Sequence, residues 1–168
     1  MRPELRAAFL CAALAAAFPA SQTAKAASLS DASLSGTYGF RFYGRDFANF
    51  PKGVNNEIAG IGLFEADGKG GITGGALSYN DGGQVCTNII AGGTYEVLGD
   101  GEGTLSLKAS PQTATCPLTD AFGFNIVLGK IDAQTGIAAG MELSSSFFTL
   151  ASGVGTFEVP VSGIATRR

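Results

Sequence analysis

From Leu34 onward, apolar residues alternate with small or polar ones over short runs, and nearly every run closes on a glycine pair or an Asp-Gly step. Period-two alternation sends successive side chains to opposite faces of an extended strand, so this pattern predicts strands that bury one face. The runs predict strands near 36–43, 56–66, 71–79, 85–98, 103–109, 121–129, 136–143 and 147–161. Phe122, Phe124, Ile126 and Leu128 fall on one face with Gly123 and Asn125 on the other, and Leu105 and Leu107 oppose Thr104, Ser106 and Lys108. The segments Asp67–Gly71, Asp81–Gly83, Gly99–Gly101 and Asp132–Gly136 can supply the positive φ of tight turns between twisted strands.

Glycine interrupts most candidate helices, and β-branched and aromatic residues fill the runs, so the chain is expected to be all-β. About eight consecutive strands on short turns must hide their edges, and closure into a single up-and-down antiparallel β-barrel does so most directly; a flattened β-sandwich is the alternative. Three openings look alike: Gly36-Thr37-Tyr38-Gly39-Phe40, Gly93-Thr94-Tyr95-Glu96-Val97 and Gly155-Thr156-Phe157-Glu158-Val159. In each, the aromatic and the apolar residue two positions on are expected to point inward.

Composition then divides the chain. All 25 glycines lie after residue 26, while residues 1–26 carry Arg2 and Arg6, an apolar run from Ala7 to Ala17, and an Ala24-Lys25-Ala26 exit. That is the grammar of a secretory signal peptide, so residues 27–168 are expected to form one exported domain, secreted or periplasmic. The chain has 14 acidic against 11 basic side chains, and three of the bases but only one acid sit in the leader. An acidic mature chain gives no attraction to nucleic acid or anionic lipid. The apolar run of the leader falls well short of the roughly 20 residues that span a bilayer as a helix, and a membrane location is not expected. Cys86 and Cys116 are expected to form a disulfide in an oxidising compartment, closing a loop of about thirty residues worth roughly 3–4 kcal/mol. Their spacing lacks the Cys-x-x-Cys form of a redox pair.

Leu34-Ser35-Gly36-Thr37-Tyr38-Gly39-Phe40, with Ala66–Gly70, Gly93-Thr94-Tyr95 and Gly101–Leu105, resembles a family of small secreted bacterial β-proteins of unassigned function. Gly36-Thr37-Tyr38 is loosely similar to the Gly-x-Trp opening of calycin-type barrels, the lipocalins and avidins, with tyrosine in place of tryptophan. Gly153–Phe157 is similar to a late strand of dirigent and allene oxide cyclase barrels. These resemblances imply a barrel, and the last two imply one that holds a ligand.

Absences narrow the chemistry. The chain has no histidine, which removes Ser-His-Asp and Cys-His machinery and an ordinary zinc or copper site. Glu57, Glu65, Asp67, Glu96, Glu142 and Glu158 alternate with inward apolar neighbours or border turns, which reads as solvated surface rather than a glycosidase pair. Neither the Asp-rich calcium loop nor a phosphate or dinucleotide loop is present, so no metal and no cofactor is expected.

One stretch stands apart. Between Tyr38 and Phe50 six aromatics surround Arg41 and Arg45, and the segment leads into the longest expected connection between strands. Tyr38, Arg41, Tyr43, Arg45, Phe47 and Phe50 are therefore candidate binders of a small flat, apolar or aromatic ligand, by stacking and charge-assisted hydrogen bonds beneath a lid at one barrel end. The plainer reading has Phe47 and Phe50 plugging the core while Arg45 pairs with Asp46 or another acid. Adjacent Phe147 and Phe148 must face opposite sides of a strand, so one could mark an oligomer contact. The leading expectation is an exported, non-catalytic binding or interaction module. The alternatives are a cavity-shaped cyclase or isomerase, signalled by Arg41, Tyr43, Asn88 or Glu57 meeting in one pocket, and a structural surface or matrix protein. An interior cavity above about 300 Å³ with converging polar groups would favour a small-molecule site, and a filled interior would favour surface contacts.

Overall fold

Alternation and glycine punctuation resolve into eight antiparallel strands: β1 (Ser35–Asp46), β2 (Asn56–Asp67), β3 (Gly71–Asp81), β4 (Gln84–Val97), β5 (Glu102–Pro111), β6 (Thr119–Leu128), β7 (Gly140–Leu150) and β8 (Thr156–Arg167). Each pairs with the next and β8 pairs with β1, so the sheet is a closed up-and-down barrel without a free edge. This is a computed structural model, and it describes residues 28–46, 56–81, 83–112, 119–150 and 156–168; residues 1–26, expected to be a signal peptide, lie outside them.

The first six strands fall close to their expected places, and the last two do not. β7 starts at Gly140 and continues through Ser144–Ser146, which the sequence suggested as a break, because a bulge there keeps the ladder with β8 running. β8 begins at Thr156 and reaches Arg167, well past the expected stop at residue 161. That final stretch closes the barrel: Val161–Arg167 pairs with Tyr38–Gly44 of β1. Gly163 and the terminal arginines hide its periodicity, but β1 offers a row of unpaired backbone groups that only this segment satisfies. The 129–139 connection, with its Ile131–Ala138 bridge, is therefore longer than the 47–55 connection expected to be longest.

Aromatic and aliphatic side chains pack against one another in the described interior. Tyr38 and Phe64 stack at 5.5 Å, Phe40 lies 5.7 Å from Phe64, Phe42 lies 5.7 Å from Phe124, and Tyr79 meets Phe122 edge-on at 5.6 Å. The β1 rings need room on the neighbouring strand, and β2 supplies it with glycines at inward positions. A Cβ at Gly60 would sit 2.5 Å from the Phe42 ring, and one at Gly62 would sit 2.7 Å from the Phe40 ring.

One end of the barrel is sealed by a short plug. A single 3-10 turn, Asp31–Ser33, lies across it with buried Leu34 beneath. The Tyr38 hydroxyl donates to the Ala138 carbonyl at 2.9 Å, the Tyr95 hydroxyl lies 2.7 Å from the Leu34 carbonyl and 3.1 Å from that of Asp31, and Val97 N–H donates to the Asp31 carboxylate at 2.8 Å. Burial raises both phenols above their ordinary pKa, which keeps them protonated as donors. The aromatics of two of the three repeated openings thus lock the same end, and Phe40 and Val97 follow them inward as expected.

Candidate functional site

Strand alternation divides the candidate ligand residues between the two sides of the wall. Tyr38 is fully buried and tied to the plug, whereas Arg41, Tyr43 and Arg45 point outward and are exposed. Phe47 and Phe50 lie outside the described residues. Tyr38 and Arg41 therefore do not share a pocket. On the outside, Tyr43 hydrogen-bonds the Glu57 carboxylate, which raises the phenol pKa, while the Arg45 guanidinium pulls the other way. Arg45 sits directly across the ladder from Glu57, so an exposed Tyr43–Glu57–Arg45 group ends this part of the wall.

That same outer wall carries large apolar side chains. Ile61 is 66% exposed, Tyr43 51%, Ile164 43% and Leu63 37%, and Ala59 and Ala76 are exposed beside them. The register makes them contiguous: Arg41 lies between Ile61 and Ile164, and Leu63 lies beside Ala76. Two adjoining grooves follow this face, of ≈ 740 and ≈ 880 Å³, both bordered by Arg41, Ile61, Ser78 and Ile164. They lie on the outer surface rather than within the barrel. The opposite wall is different, since β5 shows Thr104, Lys108 and Ser110 to solvent.

Residue reasoning missed Ile61, Leu63 and Ile164. A signal was present: Ile58 and Phe64 occupy the inward parity of β2, whereas Ile61 and Leu63 occupy the other, across two inward glycines. Two apolar sets of opposite parity in one strand mean that both of its faces are apolar.

Inside, one side chain lacks what its surroundings should provide. Asn88 is 1% exposed, and neither its amide nitrogen nor its carbonyl oxygen has a hydrogen-bond partner. It points inward from β4, while Arg41, Tyr43 and Glu57 lie outside, so the four groups that would signal a cavity-shaped enzyme do not meet. Among the described residues no cluster of three His, Cys, Asp or Glu side chains could hold a metal, and no helix is long and apolar enough to cross a membrane. Cys86 is fully buried on β4, and Cys116 lies outside the described residues.

Scanned against protein-family models, curated proteins and solved structures, the chain matches none.

Proposed function

We propose that this chain is an exported, non-catalytic interaction module whose contact surface is the outer face of β8, β1, β2 and β3. The observation that carries the reading is the contiguous set Tyr43, Ile61, Leu63 and Ile164 on a wall whose inner side is already packed. Apolar groups of this size in one patch cost free energy in water unless something covers them; Arg45 and Glu57 rim the patch, and Arg41 lies within it between Ile61 and Ile164. Export rests on the residue 1–26 pattern and on the Cys86–Cys116 pair suited to an oxidising space. Charged Glu65, Glu96, Lys108 and Glu142 on the outer wall favour water over lipid around the barrel.

A photo-crosslinking residue placed at Ile61 in the producing cell tests the face, with Thr104 on β5 as control. Protein adducts are expected from position 61 and not from 104; silence at 61, or equal adducts at both, defeats the proposal. A second reading, a small apolar ligand with one polar end held inside, is favoured by the unpaired Asn88 amide. Native mass spectrometry of purified protein separates the two, because an interior ligand stays bound until the barrel unfolds.

A further inference from the structure

The outer face carries a symmetry of its own about β8. In cross-strand register, Arg41 on β1, Ile164 on β8 and Glu142 on β7 form one outward row. Both charged side chains are exposed, Ile164 is 43% exposed between them, and neither charge has an ion-pair partner within the chain among the described residues. The row on one side reads Gly39, Thr166, Gly140, and the row on the other reads Tyr43, Ser162, Ser144.

From these rows we infer that β8 and its two neighbours form the interface of a symmetric dimer, with a second copy of this chain as the occupant. The inference rests on the contact-face reading above and names its partner. A two-fold axis running along β8 leaves Ile164 on Ile164 of the partner subunit and exchanges the two sides of each row. Arg41 then faces Glu142 of the partner subunit, and the partner subunit's Arg41 faces Glu142. The same operation sets Tyr43 over the small Ser144 of the partner subunit, and Gly39 over Gly140 of the partner subunit, where the missing side chains let two convex walls approach. Strands about 4.8 Å apart put each charge about 5 Å from the axis strand, near enough to the contact line for two curved walls to bring them together. A row with two like charges flanking the apolar residue would repel its own copy; this one attracts it.

Sedimentation equilibrium of the purified protein tests the interface. The wild type is expected to dimerise, Arg41→Glu and Glu142→Arg are each expected to weaken association by roughly tenfold or more, and the double reversal is expected to restore it. Because both side chains are exposed, circular dichroism should be unchanged in all three variants, and so should thermal unfolding at concentrations too dilute for association. Independently, an Ile164→Cys variant should form an intersubunit disulfide under mild oxidation, whereas Thr104→Cys should not. A protein monomeric at all accessible concentrations, single reversals without effect, or a double reversal no better than the singles overturns the dimer. If Ile61 still crosslinks to a different protein in that case, the contact face survives with another partner; if position 61 captures nothing, both readings fall.

Discussion

Strands β2 and β5 show how differently one barrel can use two walls. β5 buries Leu105, Leu107 and Ala109 and shows Thr104, Lys108 and Ser110 to water, the usual division for a sheet with one wet face. β2 buries Ile58, Phe64 and Ala66 but also carries Ile61 and Leu63 on its outside. The cause lies on the neighbouring strand. The rings of Phe40 and Phe42 occupy the space that β2 side chains would fill, so the inward positions are Gly60 and Gly62, while Ile61 and Leu63 at the alternate positions face out. An interior crowded with aromatics thus goes with a wall that is apolar on both sides, in contrast to β5; β4 shares part of this character, with Val85 and Ile89 exposed behind buried Cys86 and Ile90.

The contrast is sharpest in a pair of truncations. Leu105→Ala, at a site 1% exposed, is expected to cost about 2–5 kcal/mol in chemical denaturation. Ile61→Ala, with 66% of that side chain already in water, should stay within about 0.5 kcal/mol for dilute protein. A large loss at Ile61 that grows with protein concentration would instead report burial against a second copy. Gly60→Ala comes next. Its Cβ would strike a Phe42 ring held against Phe124, so a loss of about 1–3 kcal/mol is expected. Gly74→Ala, whose Cβ meets nothing nearer than the Ile90 carbonyl at 3.8 Å, should be neutral or gain about 0.4–1 kcal/mol. If Gly60→Ala proves equally harmless, the aromatic explanation for the outward aliphatics fails.

Asn88→Leu should raise stability by about 1–3 kcal/mol by removing two unpaired polar atoms from an apolar interior. A destabilised variant would show that something pairs with Asn88 in solution and would shift weight toward an interior ligand.

The smallest effect is acid sensitivity at two exposed turns. Backbone N–H groups of Gly71 and Lys69 donate to the Asp67 carboxylate, and those of Thr135 and Gln134 donate to that of Asp132, which lowers both pKa values. A folded pKa below the unfolded one gives stability that is present above the ordinary carboxylate value of about 4 and is lost as pH falls through the folded pKa. Thermal stability should therefore fall below about pH 4, and Asp67→Asn should flatten part of that decline.

How much of this was legible beforehand differs from strand to strand. Leu105 and Leu107, or Phe122 to Leu128, announce their faces because apolar and polar residues alternate without interruption. The turns at Asp67–Gly71 and Asp132–Gly136 were equally clear, with Gly68, Gly70 and Gly136 all at positive φ. Reading the six candidate residues of the aromatic-arginine stretch as one pocket overlooks the wall that alternation itself imposes between Tyr38 and Arg41. Ile164 gave no local sign of its place, since its importance comes from Arg41 and Glu142, both distant in sequence and fixed only by register.

The sequence by itself determined that the chain is all-β, where most strands turn, and which residues of β5 and β6 face inward, because strand periodicity and positive-φ glycines are local properties. Tertiary structure alone decided that Val161–Arg167 completes the ring, that Gly60 and Gly62 yield to the rings of β1, and that Ile61, Arg41, Ile164 and Glu142 share one row. Those outcomes depend on which strands lie side by side and in what register, and both are set when backbone groups distant along the chain satisfy one another around a closed barrel.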